Sequence, residues 1–126
     1  MPPDARQSLG QLGEDLACRE LTRRGYAILD RRYRTRVGEL DIVARDGETV
    51  VFVEVKARGS ASCGAPAEAV TPLKRRKLAL MAADYLVRRR LDHSPCRFDV
   101  VAVEVGPGAP VVTVYQSAFT VDSSYR

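Results

Sequence analysis

Apolar residues change their spacing several times along this chain, and each change marks an element. After a polar start, Leu9, Leu12, Leu16 and Leu21 recur at near-helical intervals, which predicts a helix from about Leu9 to Arg24. Ser8 and Gln11 form the Ser-x-x-Gln pattern of a capping box at its start. Gly25 supplies the left-handed residue that often closes a helix. Three stretches then read as strands: YAILDRRYR from Tyr26, GELDIVAR from Gly38 and TVVFVEVKA from Thr49. Asp46-Gly47, between the last two, is a strong hairpin signal. RGSASCGAP is rich in small residues and reads as a loop, with one helical turn over residues 66–70. Thr71-Pro72 reads as the cap and first residue of a long helix. Its apolar positions Leu73, Leu78, Met81, Tyr85 and Leu86 trace one face, and it ends before Pro95. RFDVVAVEV is apolar on both faces, as a central buried strand is. Gly106-Pro107-Gly108 breaks it, PVVTVYQ gives a last strand, and the chain after Ala118 is expected to be loose.

The order α-β-β-β-α-β-β predicts an α/β fold. The first three strands form an antiparallel meander, and the strand after the long helix joins them through a crossover. The result is a mixed five-stranded sheet flanked by helices. A chain of 126 residues suits one domain, expected over residues 9–118 between tails at 1–8 and 119–126.

Charge adds a direction. The chain carries a net +4, and its placement is uneven. Between residues 71 and 91 stand Lys74, Arg75, Arg76, Lys77, Arg88, Arg89 and Arg90 against the single acid Asp84. The remainder is slightly acidic. A local positive field attracts polyanions, above all phosphate backbones, so Lys74, Arg75, Arg76 and Lys77 are the expected nucleic-acid contacts; a solvated helix face is the ordinary alternative. No apolar run approaches the roughly 18 residues of a membrane helix, and the polar start does not read as a secretory signal. A soluble cytoplasmic protein is expected. Cys18, Cys63 and Cys96 show no CxxC spacing and His93 is the single histidine. A structural zinc site is therefore not expected, and the cysteines read as thiols in a reducing compartment. One histidine in a linker also excludes a Ser/His/Asp triad.

The acids of the hairpin carry the candidate chemistry. With Asp46-Gly47 as a two-residue loop, Asp41 faces Phe52 and Glu39 faces Glu54. Side chains alternate across a strand, so Glu39, Asp41, Phe52, Glu54 and Lys56 share one face. Asp41 and Glu54 become diagonal neighbours, roughly 7–8 Å apart at the backbone. A loop one residue longer would turn Glu54 to the other side. Three acids against one lysine favour a bound cation, and oxygen ligands favour Mg²⁺ or Mn²⁺. On the first helix, Glu14 has Gly10, Ala17, Cys18 and Leu21 as its helical neighbours. It stands at the margin of a packed face, from which it would lean toward Asp41 and Glu54. The helix dipole alone is the other explanation for an acid at that position. Gly10 and Gly13 would let another backbone approach closely.

Glu14, GELD with Asp41, and VEVK with Glu54 and Lys56 follow one another in an order that resembles the PD-(D/E)xK nuclease superfamily and its restriction-endonuclease-like core. Leu40 stands where that pattern has proline. LGQLGEDLACRELTRRGY, YRTRVGELDIVARDGETVVFVEVKAR, GAPAEAVTPLKRRKLALMAADYL and RFDVVAV together resemble the bacterial YraN-type protein family over about residues 9–118. Cys63 replaces an expected aromatic residue and Arg32 an expected asparagine. The family is similar to archaeal Holliday junction resolvases in fold and acidic-residue placement. The resemblance implies a nucleic-acid-binding protein, with metal-dependent cleavage of branched DNA or DNA repair intermediates. Asp41, Glu54, the carbonyl of Val55 and Glu14 would hold Mg²⁺ or Mn²⁺, and Lys56 would act beside the metal. Glu39 is a neighbour without an assigned role. A non-catalytic nucleic-acid-binding module and a protein-interaction domain are the alternatives. A homodimer would supply the two sites that cutting both strands of a junction needs.

Overall fold

The capping box forms as its residues predict. In the computed structural model, which describes residues 8–59 and 70–119, Ser8 Oγ accepts the Gln11 N–H at 3.1 Å and the Gln11 side chain accepts the Ser8 N–H. This opens helix α1 (Leu9–Arg23). Gly25, with φ +95°, turns the chain out of it. Strands β1 (Ala27–Thr35), β2 (Gly38–Asp46) and β3 (Thr49–Gly59) follow. Thr71 Oγ1 accepts the Lys74 N–H at 3.2 Å and caps α2 (Pro72–Arg88). Strands β4 (Cys96–Val105) and β5 (Val111–Phe119) complete the chain. The expected order α-β-β-β-α-β-β holds. The predicted turn over residues 66–70 and Cys63 lie outside the described residues, except for Val70.

All the strands form one mixed sheet in the order β1-β2-β3-β4-β5. β3 and β4 run parallel across the α2 crossover, and the other neighbours are antiparallel. Helices cover the two faces. Val43, Val50, Phe52, Phe98 and Val100 pack with Leu78, Met81, Tyr85 and Leu86 of α2. Ile42, Ala44, Val51, Val53, Val101 and Val103 pack with Ala17 and Leu21 of α1. β3 and β4 are buried on both sides, which is why their sequences are nearly continuous runs of valine and phenylalanine. Burying each such side chain stabilises the fold by about 1.5–3 kcal/mol. A Cβ on Gly13 would stand 2.6 Å from Ala57 Cβ, so only glycine lets α1 lie this close to β3. Gly10 has no such role, since its nearest neighbour would be Ser8 Oγ at 3.9 Å.

Several details differ from the sequence expectation. The β2–β3 hairpin turns one residue later than the Asp46-Gly47 signal implies. Asp46 pairs with Thr49 and the loop is Gly47-Glu48. Gly47 has φ +61° and Glu48 is not at positive φ, the signs of a turn with glycine at its first central position. Val43, not Asp41, therefore stands opposite Phe52. The shift is two residues, the side-chain period, so the faces of β3 survive it. Leu73 is exposed rather than part of the apolar face of α2. Phe119 is not part of a tail: it is buried and stacks on Phe98 at 5.2 Å. Among the described residues no helix is long and apolar enough to cross a membrane.

The largest departure is a kink. Arg32 has φ +54°, a left-handed conformation that costs an ordinary L-residue about 1–2 kcal/mol and asparagine less. Alternation inverts across it. On β2, Ile42 packs under α1 but Leu40, two residues earlier, packs under α2. Glu39 and Asp41 consequently do not share a simple strand face.

Candidate active site

β2 and β3 part at the kink. Their pairing ends at Ile42–Val53, while β2 stays paired with β1 as far as Gly38. Asp41 sits in the fork that this opens. Its Oδ2 accepts the Val55 N–H at 2.9 Å, replacing a ladder bond and fixing the carboxylate against β3. Glu39 is drawn away, because β2 at this level follows β1: it pairs with Arg34 and their side chains meet at 3.4 Å. The expected Glu39–Glu54 pair does not form.

Glu54 lies in the valine run of β3, and only 7% of its side chain is exposed. A charge so placed needs partners. Lys56 Nζ is 3.4 Å from Glu54 Oε2, and the same oxygen is in contact with Lys74 Nζ from α2. Losing both lysines would leave Glu54 an uncompensated buried charge, at a typical cost of about 3–5 kcal/mol; losing either one leaves the other as its counter-charge. Lys74 remains a cation. Burial works against its charge, but the hydrogen bond to Glu54 and the attraction of that carboxylate outweigh it and raise its pKa. Asp41 is relieved less. Burial, then the charge of Glu54, push its pKa up to about 7; the Val55 N–H bond and the nearby charge of Lys74 pull the other way and are outweighed.

Glu14 comes to the same place from α1. Its Oε1 accepts Arg32 Nε at 2.9 Å and lies 3.5 Å from the Arg31 guanidinium. Arg31 also donates to Asp15 at 2.6 Å. The left-handed turn at Arg32 is what sends both arginines to α1 while Tyr33 crosses to α2, where its hydroxyl meets Asp84. Between Leu9, Gly10 and Glu14 on one side and Asp41, Lys56 and Ala57 on the other lies an open cleft of about 310 Å³.

The four residues expected at the centre, Glu14, Asp41, Glu54 and Lys56, thus converge on the fork. The basic residues of α2 divide. Lys74 turns inward to Glu54, Arg75 is pinned by Val70 O at 3.1 Å and by the Phe119 ring, and Arg76 and Lys77 face solvent. Sequence reasoning treated Lys74 as one charge in a run. Its spacing to Leu78, Met81 and Tyr85 puts it on the buried face of α2, and that signal locates it. Among the described residues, no three acidic, histidine or cysteine side chains form a group that could cage a metal. The groups that could hold a hard cation are the carboxylates of Asp41 and Glu54 with the carbonyl of Val55. This is a partial set of oxygen ligands, of the kind that leaves waters on a small divalent ion. Glu14 is held by its arginines.

Comparison with known proteins places the chain among relatives of similar length. A family model described as "Uncharacterised protein family UPF0102" matches residues 13–103. A UPF0102 protein of Anaeromyxobacter dehalogenans is 49% identical over 119 residues, covering 94% of this chain and 89% of its own length. One from Syntrophotalea carbinolica is 50% identical over 117 residues, covering 93% and 95%. One from Geobacter sulfurreducens is 48% identical over 112 residues, covering 88% of each. On these matches, the chain belongs to the uncharacterised protein family UPF0102.

Proposed function

We propose that the protein is a metal-dependent endonuclease that hydrolyses phosphodiester bonds in DNA, with branched or repair intermediates as substrates. The observation that carries this reading is the meeting of Asp41, Glu54 and Lys56 at the strand fork, with Asp41 seated on the Val55 N–H. The resemblance of GELD and VEVK to PD-(D/E)xK nucleases supports it. A sheet needs no mutually repelling carboxylates for stability, and strained titrations of this kind favour functional sites.

The donor set fits a divalent ion. Two carboxylates crowd one place, and the ammonium groups around Glu54 mark where positive charge is favourable. Asp41, Glu54 and the Val55 carbonyl would hold Mg²⁺ or Mn²⁺, with Glu14 reaching it through water. Such an ion supplies a Lewis acid and an acidified water when bound. The chain's own groups do the rest. The Val55 N–H keeps Asp41 in one orientation. Lys56 Nζ hydrogen-bonds the phosphoryl oxygens and stabilises the charge that grows on them. The cleft between Gly10 and Ala57 admits the phosphate, and Arg76 and Lys77 hold the adjoining backbone. A homodimer would offer two such sites to the two strands of a junction.

The test is cleavage of labelled linear, single-stranded, flap and four-way DNA with Mg²⁺ or Mn²⁺ against EDTA, using the wild type, Asp41→Asn and Lys56→Ala. Metal-dependent cutting lost in both variants is the expected result. Salt-sensitive binding without cutting under any condition overturns it in favour of a non-catalytic nucleic-acid-binding module.

A further inference from the structure

We propose that Lys74 is a built-in competitor for the cation at the fork: its ammonium occupies Glu54 until a divalent ion takes that carboxylate, and it then passes to a DNA phosphate. This rests on the metal-dependent reading above.

Three observations carry it. First, two ammonium groups meet a single oxygen, Glu54 Oε2. The two ammonium groups balance Glu54 and the adjacent Asp41, so a divalent ion between these carboxylates makes one lysine superfluous. Second, the lysines differ in freedom. Lys56 sits on β3 itself with 20% of its side chain exposed, whereas Lys74 reaches in from α2 with 41% exposed. Lys74 is the one that leaves, by rotating its own side chain. Third, α2 does not need this contact to stay in place. Thr71 caps its first turn, and Leu78, Met81, Ala82, Tyr85 and Leu86 bury its face against the sheet. A half-exposed ion pair adds little to that. Lys77, one helical turn on, is exposed. A released Lys74 therefore joins a cation already facing solvent, and the two form a short strip for backbone phosphates. The same side chain keeps the empty site neutral and strengthens DNA binding once the metal is seated.

The experiment is calorimetric titration of Mn²⁺ into the full chain without DNA, for the wild type, Lys74→Met and Lys74→Arg. Lys74→Met is expected to bind Mn²⁺ about tenfold tighter, a usual size for coupling between competing ligands; Lys74→Arg keeps the wild-type affinity. With Ca²⁺ in place of Mn²⁺, Lys74→Met is expected to bind labelled four-way DNA several-fold more weakly, with a shallower salt dependence. Unchanged or weaker Mn²⁺ binding by folded Lys74→Met overturns the proposal. If circular dichroism shows that variant unfolded, the wild type decides. Acetylation of the Lys74 amine, read by mass spectrometry, is expected to accelerate when Mn²⁺ is added, and an unchanged rate overturns the proposal. The two readings fail differently. Mn²⁺ binding that Asp41→Asn abolishes and Lys74→Met leaves alone refutes the role of Lys74 only. No Mn²⁺ binding by any form refutes the metal centre as well.

Discussion

Asp99 and Asp41 are both aspartates inside the sheet, and they are settled in opposite ways. Asp99, on β4, is fully buried. It accepts Arg97 Nε at 3.1 Å and the Ser117 N–H at 2.9 Å. Arg97 goes on to Asp46 at 3.0 Å and to the Tyr26 hydroxyl, which also accepts from Gln116. Every charge in that network has an opposite charge or a dipole aimed at it, and the network ties the β2–β3 hairpin end to β4 and β5. Asp41 has one backbone N–H, another carboxylate beside it, and an attraction from Lys74 too weak to offset that carboxylate and its burial. The first arrangement spends its hydrogen bonds on holding strands together. The second is left electrostatically incomplete, and it is the one that opens onto a cleft.

Asp99→Ala should break the settled region hardest. It removes the charge-assisted bonds from Arg97, which keeps Asp46 and Tyr26, and leaves the Ser117 N–H without its acceptor; an expected loss of about 3–5 kcal/mol would be read from urea unfolding. Gly13→Ala comes next, through overpacking against Ala57. A loss of about 1–3 kcal/mol is expected, with cleavage reduced because α1 carries Glu14 and one wall of the cleft.

The unsettled region should respond in the other direction. Asp41 has its pKa raised in the folded chain to about 7 from 3.8. Between those values the folded state binds more proton than the unfolded state, so this group's stabilising contribution is complete below about pH 4 and is lost as pH rises through 7. Asp41→Asn removes that loss. It should stabilise the fold by about 1 kcal/mol at pH 8, the difference vanishing toward pH 4 in melts followed by circular dichroism. A gain that persisted at pH 4 would contradict the electrostatic cause. Arg32→Asn should have the smallest effect. Relief of the left-handed backbone is worth about 1 kcal/mol, partly offset by the loss of a half-exposed ion pair with Glu14. A net gain below about 1 kcal/mol is expected in the same melts.

The helices and strands were legible because their periods are strong and their caps explicit. The faces of β3 were legible as well, even though the hairpin register and the faces of β2 beyond Ile42 were not. Gly47 serves as the first central residue of its turn as readily as the second, and a two-residue shift leaves side-chain parity intact. The kink left almost no mark on the hydrophobic pattern, since a left-handed arginine reads like any other. Its one trace is Arg32 standing where the resemblance led to an expectation of asparagine, a residue that tolerates that conformation. Phe119 was missed because the alternating run stops at Gln116; Ser117, with φ +49°, redirects the chain so that Phe119 enters the core. The inward contact of Lys74 was missed because charge was counted along the chain rather than around the helix. Glu54 and Lys56 drew notice because two charged residues in a valine run need a reason to be there, and Asp41 because it stands on the neighbouring strand.

The most direct measurement is Mn²⁺-dependent cleavage of a labelled four-way junction by equal concentrations of wild type and Asp41→Asn, both verified as folded. The expected result is cutting by the wild type and a rate lower by about 100-fold or more in the variant, although the variant is the more stable of the two. Equal rates, or no cutting by the wild type on any DNA form tested, would contradict the assignment of the fork as a catalytic centre.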